Sequence, residues 1–117
     1  MRYMIVDDNA GMRSMIRRFV CTPADAVVEC ADGPMAVRHY PAFRPDFVLM
    51  DVEMAPMDGF ETTEQIRSQD PAARVIFITG HDTSAFRTKA QMLNAAGFVP
   101  KENLPALISL VKNTDQC

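Results

Sequence analysis

The 117-residue chain has no tryptophan, only three cysteines, five glycines and two histidines, and no surplus of basic charge. Each shortage closes off a class of function. Cys21, Cys30 and Cys117 are odd in number and form no C-x-x-C pair, which argues against a disulfide framework or a zinc site and suits a reducing compartment; they read as ordinary thiols. His39 and His81 have no metal-ligand spacing to them. With 12 Lys and Arg against 15 Asp and Glu, the net charge is -3. Phosphate binding needs a clustered basic excess, so no direct contact with nucleic acid is expected. No apolar run is long enough to span a bilayer and no signal-type start precedes the first strand, so the expectation is a cytoplasmic protein without membrane insertion. Linkers, repeats and low-complexity stretches are also missing. The 48% hydrophobic content is enough for one compact domain to bury its own core.

Short β-branched runs alternate with helix-period segments. Tyr3 to Val6, Ala26 to Cys30, Phe47 to Met50, Val75 to Ile78 and Gly97 to Val99 read as strands. Three of these are continuously apolar, the pattern of strands covered on both faces, so the sheet should be largely parallel. Met12, Met15, Ile16, Phe19 and Val20 fall on one helical stripe, and Leu104, Leu107, Ile108 and Val111 on another. Gly33 begins a short second helix that Pro41 is expected to stop; Asp58 or Gly59 opens a third and Asp82 or Thr83 a fourth. The order βαβαβαβαβα implies right-handed crossovers and a doubly wound α/β fold, flavodoxin-like, with a five-stranded parallel sheet in the order 2-1-3-4-5 and helices on both faces.

Ligands of such sheets bind beyond the carboxyl ends of the strands. Those positions hold Asp7 and Asp8 after the first strand, Asp51 after the third, Thr79 after the fourth and Lys101 after the fifth. Individually each has a plain explanation: Asp8 or Asn9 as a helix cap, Asp51 as a turn former, Lys101 as a solvated surface charge. Together they form a site. Three converging carboxylates repel one another unless a hard divalent cation, Mg²⁺ or Mn²⁺, sits among them. Phosphoryl transfer asks for an in-line nucleophile and positive charge on the transferring oxygens. Asp51 is the candidate carboxylate nucleophile, with the cation, Lys101 and Thr79 sharing the developing charge. Gly80 keeps the approach open to a bulky donor. Met54 and Met57 offer soft thioethers that a hard cation does not choose, so they read as loop packing.

The stretches "IVDDN", "ADGPMAV", "RPDFVLMDVEM", "MDGFE", "VIFITG" and "AAGFVPK" resemble the receiver domain of two-component response regulators, in particular the free-standing chemotaxis-regulator type. The resemblance runs from Met4 to Val111 and implies one receiver domain over residues 1–117. Carried over by position, it implies that Asp51 is the phosphoacceptor and that Asp8, Asp51 and the main-chain carbonyl of Glu53 ligate Mg²⁺, with Asp7 helping through water. It further implies that Thr79 and Phe98 act as a switch pair and that Glu53 and His81 tune the phosphoryl lifetime. The implied donor is a histidine kinase or phosphotransfer protein. The implied output is a downstream protein target, read through the face made by helix four, strand five and helix five; a phosphorylation-dependent homodimer is compatible with this. Kinase choice in the family lies around Ala10 to Arg18 and Glu102 to Leu104. The protein is then a signalling module that promotes its own phosphorylation and dephosphorylation rather than an enzyme with a separate substrate. Two departures stand out. Pro56 lies one residue later than the family's usual proline, and Pro100 precedes Lys101 where the family has a proline after the lysine, so a cis peptide after Lys101 is not expected.

Three other functions compete. A haloacid dehalogenase-like aspartyl-phosphate phosphatase uses similar residues but places its nucleophile and a second Asp two apart after the first strand. A flavodoxin would meet its cofactor phosphate with the acidic turn "DDNAGM". A degenerate receiver serving only for docking has no need of the full set Asp7, Asp8, Asp51, Thr79 and Lys101. The polar end "KNTDQC" leaves no room for an effector, so a signal would pass to a partner.

Overall fold

The computed structural model describes residues 1–115, which leaves Cys117, read above as an ordinary thiol, outside them. The elements are β1 (Arg2–Val6), α1 (Ala10–Val20), β2 (Ala26–Cys30), α2 (Gly33–Phe43), β3 (Phe47–Asp51), α3 (Gly59–Gln69), β4 (Val75–Thr79), α4 (Ser84–Met92), β5 (Gly97–Pro100), a single 3₁₀ turn (Lys101–Asn103) and α5 (Ala106–Asp115). All strand pairs are parallel, in the order β2-β1-β3-β4-β5. This is the flavodoxin-like doubly wound fold read from the alternation of apolar runs and helical stripes. Among the described residues no helix is long and apolar enough to cross a membrane.

The pleat of each strand divides its side chains between two cores. Met4, Val6, Val48, Met50, Val75 and Phe77 pack under Ala36 and Tyr40 of α2, Phe60 and Ile66 of α3 and Ala90 of α4. Tyr3, Ile5, Phe47, Leu49, Ile76 and Ile78 pack under Ile16 of α1 and Leu107 and Val111 of α5. The strands β3 and β4 are buried along their whole length, which is why their sequences show no polar alternation. The stripe read on α1 is only partly covered. Ile16 is buried, with Met12 and Val20 packed at the core margin, whereas Met15 and Phe19 remain 42% and 41% exposed.

Local signals explain the helix starts. Asn9, Asp32, Asp58 and Thr83 each accept a hydrogen bond from the backbone N–H three residues on, and Asp58 with Glu61 completes a reciprocal capping box. The second helix corrects the sequence reading, because it passes through Pro41 to Phe43. A proline at that place deprives the Val37 carbonyl of its helical partner. Gln69 Nε2 of α3 lies 3.5 Å from that oxygen, and the buried ring of Tyr40, donating to Asp70 at 2.6 Å, holds the last turn down. Arg44 then ends the helix with φ at 50°. The thiols of Cys21 and Cys30 are pushed up to about 11 by burial, with nearby carboxylates adding to the effect, as expected of unreactive thiols.

Gly59 opens α3 directly beneath the end of β3, where a Cβ would stand 2.1 Å from the Asp51 carbonyl oxygen and 2.9 Å from Val52 Cα. Backbone cannot yield as a side chain can. Gly59→Ala is expected to lower the urea unfolding free energy by about 2 kcal/mol or more, and an unchanged midpoint would show that the β3–α3 junction relaxes freely.

Candidate functional site

The parallel registers bring the ends of four strands to one edge. Val6 pairs with Met50, Asp51 with Ile78, and Thr79 with Pro100, so Asp7, Asp51, Thr79 and Lys101 emerge side by side, each at or just past its strand end. The sequence placed these residues together, and the structure does so too. Asp7, Asp8 and Asp51 offer carboxylate oxygens that lie within 4.8 Å of one another, with Asp7 and Asp51 buried and Asp8 exposed. The Lys101 ammonium bridges the two buried acids, 3.1 Å from Asp7 Oδ2 and 3.4 Å from Asp51 Oδ1.

Asp7 is fixed from several sides. Its N–H donates to the Cys30 carbonyl at 3.1 Å, its Oδ1 accepts from the Asn9 N–H at 2.9 Å, and its carbonyl accepts from Arg13 Nη1 at 2.6 Å. Arg13 in turn reaches Glu29 on β2 at 3.0 Å. Asp7 Oδ2, fully buried, receives no well-directed hydrogen bond and is met only by the ammonium as an ion pair. Such an oxygen is costly to leave unsatisfied.

The charges are out of balance. Burial first, and the neighbouring Asp7 second, push the Asp51 carboxyl up to about 6, against the opposing pull of Lys101 and of the Glu53 backbone hydrogen bond. Burial works against the Lys101 charge, but Asp51 and Asp7 outweigh it and hold its pKa above the ordinary lysine value. One cation thus faces three carboxylates, all of them hard oxygen donors. The residues fit a small divalent ion: the donor type is right, and the buried Asp7 oxygen lacks a hydrogen bond.

Thr79 is buried at the end of β4, its hydroxyl accepting from the His81 N–H at 3.0 Å. The next residue leaves space, since a Cβ on Gly80 would meet only Lys101 Cδ at 3.9 Å. The Glu53 carboxylate and His81 Nδ1, both exposed, pair with one another between the loops that follow β3 and β4. That pairing was not read from the sequence, although both residues were singled out. Met54 packs against the core margin and Met57 Sδ accepts from Gln65, in keeping with loop packing. Phe98 stands apart from the acidic cluster, half-buried on β5 with the Arg87 guanidinium 4.8 Å from its ring centre. The cis peptide is Ala55–Pro56; the bond after Lys101 is not cis. Arg13 was missed as a site residue. The available signal was the pair Arg13 and Arg17, one helical turn apart, opposite Glu29, a charged residue in an otherwise apolar strand.

A five-stranded flavodoxin-like sheet with an aspartate cleft bridged by the lysine that follows the last strand defines the receiver class of signalling domains. A family model of the response regulator receiver domain matches residues 3–112, and the chain belongs to that family. It is similar to the chemotaxis protein CheY of Listeria monocytogenes, 34% identical over 102 residues that cover 86% of each chain. Similarity to CheY of Thermotoga maritima is 32% over 108 residues, or 92% of this chain and 90% of that one. Among solved structures, a two-component response regulator of the LuxR family from Aurantimonas sp. SI85-9A1 superposes with a TM-score of 0.87 at 40% identity, over 97% of this chain and 83% of the other.

The raised Asp51 pKa has a thermodynamic consequence. The unfolded carboxyl releases its proton near 3.8 and the folded one near 6, so the native state holds the extra proton in between. Stability therefore falls as pH rises through that window, and above it the full penalty stands. In metal-free buffer at pH 7.5, Asp51→Asn is expected to gain roughly 2–3 kcal/mol, with the difference from wild type vanishing below pH 4. Equal urea midpoints for the two proteins at pH 7.5 would show that the carboxylate is not destabilised.

Proposed function

We propose that the protein is a phosphoacceptor receiver of a two-component system or phosphorelay, a single receiver domain in which Asp51 takes a phosphoryl group from a histidine kinase or phosphotransfer protein. The observation that carries this reading is the buried Asp51 carboxylate at the end of β3, raised in pKa, beside both a lysine and two further aspartates. A structural ion pair would need one acid for one base. Here the excess of buried negative charge is costly to the fold, and a catalytic use accounts for it.

Asp8, Asp51 and the main-chain carbonyl of Glu53 would hold Mg²⁺ or Mn²⁺, with Asp7 as an outer partner. When bound, the cation would neutralise negative charge on the transferring phosphoryl oxygens. The rest of the chemistry belongs to the chain itself. An Asp51 oxygen attacks phosphorus while the bond to the donor's leaving group breaks, and the leaving group departs with that electron pair. Lys101 is already placed by Asp7 and Asp51, so its ammonium can turn from the ionised carboxylate to a phosphoryl oxygen without travelling. The Thr79 hydroxyl, which donates to the His81 carbonyl, can exchange that bond for one to a second phosphoryl oxygen. Gly80 leaves the donor's path clear. The product is a mixed anhydride that water can cleave, and Glu53 and His81, two residues past Asp51 and Thr79 respectively and paired with one another, are the residues we assign to controlling that water. We assign the output to the α4–β5–α5 face, where Phe98 and Arg87 lie, acting on a protein target or a second copy of the chain.

Intact mass after incubation with acetyl phosphate and Mg²⁺ tests the reading. The expected result is a gain of one phosphoryl group that needs the cation and is lost in Asp51→Asn. Lys101→Ala should accept phosphate at least about 100-fold more slowly, the usual scale for removing one charge-stabilising donor. No gain in a folded wild-type protein that binds Mg²⁺ would leave a docking module with the receiver fold.

Breaking the Glu53–His81 contact should alter the rate at which the acyl phosphate hydrolyses. Both Glu53→Ala and His81→Ala are expected to change the half-life of the phosphorylated protein severalfold, followed by the loss of the added mass. Unchanged decay in both variants would remove these residues from the reaction.

A further inference from the structure

We propose that Arg13 is a positioning residue for the cation site, fixing the peptide that joins Asp7 to Asp8; the inference rests on the receiver reading above. Arg13 lies on the first turns of α1, and its side chain is only 16% exposed. From there the guanidinium makes two bonds that point in different directions. Nη1 donates to the Asp7 carbonyl at 2.6 Å, and Nε donates to Glu29 Oε1 at 3.0 Å. Glu29 belongs to the edge strand β2, where it pairs with Ile5, and its other oxygen is taken by Arg17 at 3.2 Å. The guanidinium therefore ties the β1–α1 loop to a strand that carries none of the three clustered aspartates.

The bond falls at a critical place. The Asp7 carbonyl belongs to the same rigid peptide plane as the Asp8 nitrogen, so holding that oxygen sets the direction in which Asp8 leaves the strand. The Asp7 side chain is already held, through Asn9 at Oδ1 and Lys101 at Oδ2. Asp8 is exposed, and among the described residues no such bond orients it. Of the three carboxylates it depends most on its backbone for its place. A planar fork fits this task, since one group must serve a carbonyl and a carboxylate at fixed angles.

Two physical roles for Arg13 predict opposite signs. If the guanidinium acts only as a nearby positive charge, its removal strengthens cation binding by relieving repulsion. If it positions the loop, its removal weakens binding despite the lost charge, because outer-shell partners that orient ligands are typically worth 10- to 100-fold in metal affinity.

Calorimetric titration of MgCl₂ into the unphosphorylated full chain separates them. For Arg13→Met the expected result is a Kd about tenfold weaker than wild type, with the urea midpoint measured alongside. Glu29→Gln, which loosens the far anchor and leaves Arg13 in place, should shift the Kd the same way by a smaller factor. Arg17→Met, which removes the same charge from the same carboxylate without touching Asp7, should leave it unchanged. A tighter or equal Kd in Arg13→Met overturns the proposal, as does an equal loss in Arg17→Met. Failure of the wild type to bind Mg²⁺ would remove the receiver reading itself and this inference with it, so the two failures are distinguishable.

Discussion

Everything at the functional edge depends on two carboxylates being forced into proximity by parallel pairing. β1 and β3 are neighbours in register, Val6 beside Met50, and each continues into an aspartate. Both acids are buried. Neither can retreat, because Asp51 is still part of β3 and Asp7 is fixed by Cys30, Asn9 and Arg13. The repulsion is therefore a property of the fold. Lys101 answers it only in part, being one charge against two from a position on the next element but one. The raised Asp51 pKa and the poorly satisfied Asp7 oxygen are what remains.

The opposite edge of the sheet is built differently. Around β1 and β3, Arg2 donates to the Phe43 carbonyl and stacks on the Phe43 ring, while its N–H donates to Asp46. Arg74 bonds the Asp46 carbonyl and covers the Phe47 ring, and Arg67 links the Ala73 and Asn94 carbonyls across two loops. At this end long cationic side chains satisfy backbone oxygens and shield aromatic edges. One end of the sheet is thus stapled, and the other keeps its polar groups short of partners. That division is what a site built on a rigid scaffold requires.

Most of this was legible in the sequence because it follows from periodicity. Continuous apolar runs identify strands covered on both faces, and the residue that ends each run must then lie at the ligand edge, so Asp7, Asp51, Thr79 and Lys101 could be named without knowing any distance. What escaped depends on contacts between segments far apart in the chain. Pro41 reads locally as a stop, yet Gln69 and Asp70, on and just beyond α3, support the turn that contains it. The apolar residues of α1 fall on one stripe in the sequence, yet Met15 and Phe19 extend past the rim of the core. Arg13 reads as one more helix-surface charge, and only the position of Glu29 on the edge strand turns it inward.

The hydrogen bonds of Thr79 limit how strongly a phosphoryl group on Asp51 would bias the shape of the molecule. To donate to the phosphoryl oxygen the hydroxyl must give up the bond it donates to the His81 carbonyl, a neutral bond worth about 1 kcal/mol net. In return it gains a charge-assisted bond worth roughly 1.5–3 kcal/mol. The difference, about 0.5–2 kcal/mol, corresponds to a population shift of roughly two- to thirtyfold. Inverting a 1:99 equilibrium takes about 5.5 kcal/mol. Thr79 alone cannot supply it, and Lys101 adds only the difference between its bonds to carboxylates and to phosphate. On the proposed receiver reading, the remainder would come from a partner that binds one arrangement of the α4–β5 surface in preference to another. On this arithmetic, a chain of this design would reach full output only when phosphate and target are bound together.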